Sequence, residues 1–468
     1  MRQPAGLRAP GERAPSMPRK VCEQLARLAV ALRGRTLTAD ESHAAVRAVI
    51  DWFGAVIAGS EQAPARILRA ALLDADGSGT ARLVPDGRPA ALRTAALINS
   101  TASHTAELDD IFRDGIYHPG SPTVAAALAL AQHRDASGRA LLRATAVGYE
   151  IGDRVAQTIN PQHYAYWHTT GTVGTLGAAA AAAGLLELDQ PRFAHALATA
   201  TTMAAGLQQA FRSDAMSKPL HAGHAAEAGL LAALAAAQGY TGALDVLEGP
   251  AGFGAAMAGS PDWSAAFAEP GRPLGITVAT FKNHSCCGHT FAAVDAGLEL
   301  RARGIRPEDI ESVEVRTALT AAKVAGNVHP ETSFDAKFSL SYCVAAALVL
   351  GSVRLRAFEP EALRNPLLNA VERRVKVAPD ADMERVFPGQ RRAIVTVSDR
   401  AGNRHESVRD TRKGDPDDPL TDAELADKYA DLTEPVLGPA NSARLAGQLW
   451  RLDGLASVRD LKVTDAHR

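Results

Sequence analysis

Cysteine is scarce in this chain: four residues in 468, at Cys22, Cys286, Cys287 and Cys343. That excludes a disulfide framework and makes a reducing cytoplasm the simplest setting. Charge of one sign is missing too. The formal net charge is -2, which gives no basic field for nucleic acid or anionic lipid. No long strongly apolar run is present. The nearest is Thr169 to Leu186, uncharged for 18 residues, but its Ala, Gly and Thr supply little transfer energy, so it reads as a packed core helix. The first twenty residues are rich in Pro and Arg and lack an apolar stretch, so they read as a disordered tail and not as a secretory signal. Phosphate-cradling G-x-x-x-x-G-K-[ST] and a strand-linked G-x-G-x-x-G are both absent, as are G-x-S-x-G, H-E-x-x-H and calcium-loop spacing. Nucleotide cofactors have no visible seat.

What is there is an apolar, Ala-rich chain with a change of pattern partway along. Thr38-Ala-Asp-Glu41 is a capping box, followed by Val46, Val49, Ile50, Phe53, Val56 and Ile57 at helical spacing. Further helices are expected at 90–105, 122–134, 138–158, 170–187, 190–212 and 221–238, with Gly239 stopping the last. Gly171, Gly174 and Gly177 share a face and let helices approach closely. Near Gly271 the pattern turns β-branched or alternating, at 275–281, 310–317, 373–378 and 391–399, with helices at 289–303 and 335–350 between. The expected architecture is mainly α with an α+β second domain. It divides into a tail (1–20), a helical domain (21–270), an α+β lid (271–410) and a C-terminal helical segment (411–468). That last segment is opened by the capping box Thr421-Asp-Ala-Glu424 and returns to the helical domain.

Five stretches put reactive side chains against apolar or Gly-rich backbone. "ELDDIFRDGIYHPG" carries Glu107, Asp109, Asp110 and His118 before a Pro-Gly turn. Read structurally it is a solvated loop whose acids cap a helix; read chemically it is a proton-transfer site. "YAYWHTTGTVG" sets His168 at a Gly-rich helix start, as a hydrogen-bonded core residue or as a general acid or base. "SKPLHAGH" places Lys218 beside a helix N-terminus, where ammonium and amide N–H groups both favour carboxylate, unless the lysine merely snorkels to the surface. "FKNHSCCGHTF" holds Lys282, His284, Cys287 and His289. Its adjacent cysteines cannot easily take two corners of one tetrahedron, so no metal is expected; buried, inert thiols beside a Lys- and His-lined cleft are. "DAKFSLSYCV" brings Lys337 and Tyr342 to the head of an apolar helix.

Taken together and in this order, "ELDD…HPGSPTVAAALALA", "WHTTGTVGTLGAAAAAAGLL", "SKPLHAGHAAEAGLLAALAAAQGYTG", "FKNHSCCGHT…AAVDA" and "DAKFSLSYCVAAAL" resemble the MmgE/PrpD family over about residues 20–450. That family includes 2-methylcitrate dehydratases, cis-aconitate decarboxylases and iminodisuccinate epimerases. The resemblance implies a large helical domain, a smaller α+β lid, a cleft site between them, no cofactor and a homodimer. It assigns active-site roles to His118, His168, Lys218, Lys282 and Tyr342. Three departures stand out. Glu107 and Ile111 replace the Asp and Thr of the decarboxylase-like Asp-Phe-Asp-Asp-Thr. Phe291 replaces a histidine, and Cys287 falls where the decarboxylases carry a catalytic histidine.

The chemistry implied is charge built up at a carbon next to a carboxylate, on a di- or tricarboxylate substrate. Lys218 and Lys282 would clamp the carboxylates, helped by Arg212, His284, Cys287 and His289. His118 and His168 would be base and acid, Glu107, Asp109 and Asp110 would orient and charge-tune them, and Tyr342 would donate a hydrogen bond. Dehydration of a 2-methylcitrate-like hydroxy polycarboxylate is the first expectation, given Cys287 and Ile111. Epimerisation and decarboxylation are alternatives, and so is a family member that only binds a polycarboxylate. Neither nucleic acid nor membrane is expected as a partner.

Overall fold

A computed structural model describes residues 20–73, 77–211, 215–269, 271–387 and 389–464. The N-terminal tail and Arg212 lie outside these residues. The first half folds as nine long helices: α1 (Val21–Gly34), α2 (Ala39–Ser60), α3 (Ala63–Leu72), α4 (Leu92–Thr105), α5 (Gly120–Arg134), α6 (Gly138–Ile159), α7 (Thr169–Leu185), α8 (Gln190–Thr202) and α9 (Ser217–Ala237). The capping box at α2 forms as its sequence suggests. Thr38 Oγ1 accepts from Glu41 N–H at 3.2 Å, and Glu41 returns a carboxylate oxygen to Thr38 N–H at 2.8 Å.

α7 is the axis of this half. Its residues from Thr169 to Gly184 are all buried, because α5, α6, α8 and α9 pack around it. Small side chains make that crowding possible. A Cβ on Gly174 would stand 2.7 Å from Pro122, and one on Gly177 would stand 2.7 Å from the Tyr117 hydroxyl. No helix among the described residues is long and apolar enough to cross a membrane.

The second half is built on a four-stranded sheet. Val375–Asp380 runs parallel to Ile310–Ala318, which pairs antiparallel with Ala393–Asp399, and Arg404–Arg409 completes the far edge. Ile310, Val313, Val315 and Thr317 point to the buried face, with a register shift between Ile310 and Ser312. Helices Phe291–Ala302 and Leu340–Leu350 cover that face and form a second core with it. The capping box at Thr421 opens helix Asp422–Leu437, which packs on α2 of the first half. The chain is therefore mainly helical with an α+β second part.

Two expectations fail locally. Residues 275–281 are not a strand: Gly275–Val278 form a 3-10 turn. The Gly275 amide donates to Glu150 (2.9 Å) and the Thr277 amide to Leu274 O (2.8 Å), so neither is free for a ladder. Only Thr280 reaches a β-bridge, exchanging two 2.8 Å hydrogen bonds with Ile111. The helix expected over 190–212 stops at Thr202, and Gly206 (φ +138°) turns the chain back toward α7. The strand Arg404–Arg409 was not anticipated.

One buried ion pair ties the C-terminal helix to the loop after α4. Lys428 Nζ reaches Asp51 Oδ1 on α2 at 2.5 Å and donates to Leu108 O at 2.8 Å, with both side chains 1% exposed. Removing one partner of such a pair strands a charge without water. Lys428→Ala should cost ~3–5 kcal/mol, read by denaturant unfolding, whereas Lys428→Met combined with Asp51→Leu should recover most of it. Equal losses in the single and double variants would show that the cost does not come from a stranded charge.

Candidate active site

The loop after α4 begins with strain. Ala106 ends the helix, and Glu107 then adopts φ +58°, a conformation that side chains other than Gly seldom take. The turn aims the Glu107 carboxylate between two cations. Lys218, at the head of α9, pairs with one oxygen, and Lys282 Nζ lies 3.5 Å from the other while donating to Glu107 O at 3.1 Å. Burial would raise this carboxyl; Lys218, Lys282 and His104 hold it well below the usual range instead. Lys337, at the end of Ser333–Lys337, belongs to the same electrostatic group. Burial lowers its pKa, and Glu107 opposes that more than any other charge.

Two residues on, Asp109 organises the histidines. One of its oxygens accepts from His104 Nδ1 at 2.7 Å and from Ser121 Oγ at 2.8 Å, and His118 Nδ1 stands 3.3 Å away. Burial works against ionisation of Asp109, yet His104 and His118 hold it well below the carboxylate range. The rings continue outward from there. His104 meets His118 edge-on at 4.9 Å and stacks on His168 at 5.3 Å, and His168 Nδ1 hydrogen-bonds His221 Nδ1 at 3.1 Å. Burial, with Lys282 and His104 added, pushes His118 down to about 4 against the pull of Asp109. His118 is therefore a neutral imidazole at pH 7.

Asp110 has a different task. It accepts the Gly120 amide at 2.9 Å and the Tyr149 hydroxyl at 2.7 Å, fixing the His118-Pro119-Gly120 turn onto α6. Burial and Asp51 push its pKa up to about 8. Gly120 is required there, because a Cβ would lie 2.5 Å from an Asp110 oxygen.

The structure thus brings together Glu107, Asp109, His118, His168, Lys218 and Lys282, with Asp110 supporting from behind. Cys287 lies within electrostatic reach of Lys282 and Glu107, its amide donating to Lys337 O at 2.8 Å. Three expected residues face elsewhere. Tyr342 is buried in the second core and donates to Ala357 O at 2.6 Å, so its hydroxyl is already engaged. His284 bonds Asp295 at 2.8 Å and is 2% exposed. His289 stacks on Phe387 at 5.7 Å, with Arg391 and Arg412 as its nearest cationic influences.

His104 and His221 were given no role in the sequence reading, and Lys337 only a weak one. His104 could have been found: it lies three residues before Glu107 and five before Asp109 on a helix that ends in their turn. As for a metal, His104, Asp109 and His118 offer ligand atoms within 4.8 Å of one another and could hold a cation. The hydrogen bonds already converging on Asp109 explain that grouping equally well.

Each of the two halves matches a known family domain. The profile of the MmgE/PrpD N-terminal domain matches residues 23–266, and that of the MmgE/PrpD C-terminal domain matches residues 284–452. The chain belongs to the MmgE/PrpD family. A cis-aconitate decarboxylase-like protein, oryM of Aspergillus oryzae, is 26% identical to this MmgE/PrpD member over 94% of the chain and 96% of its own length. The cis-aconitate decarboxylase of Mus musculus is 27% identical over 72% of the chain and 70% of its own. That of Aspergillus terreus is 27% identical over 64% of each.

The Cys287 thiol, where the sequence resemblance implies histidine, is pushed up to about 11 chiefly by burial. A protonated thiol is a poor nucleophile and a poor proton carrier at neutral pH. Native protein at pH 8 should therefore resist iodoacetamide at Cys287 far longer than a free thiol does, as read by intact mass. Rapid single labelling at Cys287 would show an activated cysteine.

Proposed function

We propose that this protein is a carboxy-lyase that removes CO2 from an unsaturated di- or tricarboxylate of the cis-aconitate type, without a redox cofactor. The observation that carries the reading is the juxtaposition of an Asp109-backed histidine pair with Glu107 paired to Lys218 and Lys282, and with Lys337 within its electrostatic reach. The decarboxylase names of three relatives set the direction of the chemistry.

The lysines supply the positive field that polycarboxylate oxygens need, and partial burial makes it stronger than in water. In a β,γ-unsaturated acid the reaction is an allylic shift. A proton is added to the vinylic carbon, the bond to the departing carboxylate breaks, and its electron pair becomes the new double bond. The donor must be an imidazole able to gain a proton once substrate is bound. His118 is neutral in the free protein, and an adjacent polyanion raises a histidine pKa, so substrate itself arms the acid. Asp109 holds the Nδ1 side of both rings, leaving Nε2 of His118 to work on carbon.

Dehydration, the first expectation from the residues, becomes the second reading. One observation favours it: His118, pushed down to about 4, is a free base before substrate arrives, as abstraction of a C–H proton requires. A homodimer and a cytoplasmic setting belong to the same proposal.

The deciding measurement is proton NMR of the purified protein in heavy water with cis-aconitate, citrate, 2-methylcitrate and iminodisuccinate. Decarboxylation predicts a new terminal methylene signal from cis-aconitate together with released CO2. A new alkene from 2-methylcitrate alone, read as a methyl singlet in place of its methyl doublet or as a vinylic proton, would replace this reading with dehydration. His118→Ala should lower kcat by ~10²–10⁴-fold, while Lys218→Met should act mainly on KM. Dialysis against a chelator should leave turnover unchanged. A loss restored by one divalent metal would reassign His104, Asp109 and His118 as its ligands.

A further inference from the structure

One arginine of the second half is left over from a network whose other members are paired. Arg391 stands just ahead of the strand Ala393–Asp399, whose start is fixed by Thr317 Oγ1 donating to Arg392 O at 3.1 Å. Its side chain lines a cavity of about 300 Å³ at the seam between the halves, with Arg113 on one side and Asp410, Asp415 and Asp417 on the other. Each of those acids is already matched. Asp410 pairs with Arg392 at 3.2 Å, Asp417 with Arg113 at 3.0 Å, and Asp415 takes both 2.8 Å bonds of the Arg412 fork. Among the described residues the Arg391 guanidinium has no hydrogen bond and no ion pair, and its Nε is shut away from solvent without an acceptor. It lies over the Phe387 ring instead, 5.1 Å from the centroid. Burial and Arg412 push it down to about 10, so it remains a cation at neutral pH.

The cavity shares walls with the lysine cluster. Thr280, two residues before Lys282, donates to Asp415 Oδ1 at 2.7 Å. Arg412 Nη1 donates to Gly288 O at 3.3 Å, next to Cys287, and a Cβ on Gly288 would stand 2.9 Å from that nitrogen. Cys287 is within electrostatic reach of Arg391 on one side and of Lys282 and Glu107 on the other.

We propose that Arg391 binds the third carboxylate of the substrate, the outlying one that the lysines do not hold, and so makes the site select tricarboxylates over dicarboxylates. This rests on the carboxy-lyase reading and deepens it. A half-buried guanidinium without a partner calls for a group that only accepts hydrogen bonds, and a carboxylate is such a group. The planar fork meets it with two parallel N–H donors, while stacking on Phe387 holds the plane. The contact is made to a carboxylate that the product retains, so it serves binding and not bond breaking.

Calorimetric titration with two saturated analogues that cannot react isolates this contact. Methylsuccinate carries two neighbouring carboxylates, and tricarballylate is the same skeleton with a third on the methyl carbon. Wild type should bind tricarballylate the more tightly. Arg391→Gln should lose roughly ten- to a hundred-fold on tricarballylate and nothing on methylsuccinate, the loss expected for a charge-assisted hydrogen-bond pair. Arg391→Lys, which keeps the charge without the fork, should fall between, and Arg392→Gln should match wild type. With cis-aconitate, Arg391→Gln should raise KM by a similar factor and barely move kcat. A wild type without preference for tricarballylate overturns the proposal, as does an Arg391→Gln protein weakened on both analogues alike or on neither. Sulfate binding to the methylsuccinate-loaded wild type that Arg391→Gln abolishes, with tricarballylate unaffected, would overturn it in favour of a separate anion site. A wild type that prefers tricarballylate yet releases no CO2 from cis-aconitate would remove the carboxy-lyase reading and leave the carboxylate contact standing, so the two failures are distinct.

Discussion

Three carboxylates within four residues, Asp109 and Asp110 buried and Glu107 with only 30% of its side chain exposed, impose the constraint that everything around the site answers. Taking an ionised carboxylate out of water costs several kcal/mol unless cations or hydrogen bonds replace the lost hydration. Glu107, Asp109 and Asp110 meet that demand in three different ways. Glu107 is held ionised by lysines, Asp109 by histidines, and Asp110 is pushed up to about 8 and so is mostly protonated at pH 7. One turn of backbone therefore carries a charge partner, an orienting base and a neutral structural acid.

That division explains why distant segments converge here. Lys218 comes from the head of α9, Lys282 from the crossing into the second half, Lys337 from beyond the sheet's first strand and Lys428 from the C-terminal helix. No local sequence could supply four ammonium groups around one turn without like-charge repulsion in the unfolded chain. Spreading them along the chain and gathering them on folding avoids that. The positive φ at Glu107 is the local cost, of order 1 kcal/mol, of presenting a side-chain and a main-chain oxygen to the same lysine.

Much of the fold was legible because it follows from period and punctuation. The capping boxes at Thr38 and Thr421, the glycine face of α7 and the alternation in 310–317 each translate directly into an element. The β-branched run at 275–281 misled because Glu150, remote in sequence, claims the Gly275 amide. The site was legible in its ionisable residues but not in their partners. Tyr342 and His284 carry the same side chains whether they face the cleft or their own core, and only packing decides. His221 escaped notice because its contact with His168 is a ring-to-ring distance of about 5 Å, which spacing along the chain does not encode.

The contact between Lys428 and the carbonyl of Leu108 has a consequence for how the molecule is made. The loop that carries Glu107 and Asp109 is synthesised early, but the cation that neutralises Asp51 beneath it lies 320 residues later in the chain than Leu108. Until that stretch has left the ribosome, the acidic turn is without its deepest support. The helices of the first half can assemble during synthesis, whereas the chemistry at their centre is finished only near the end of translation.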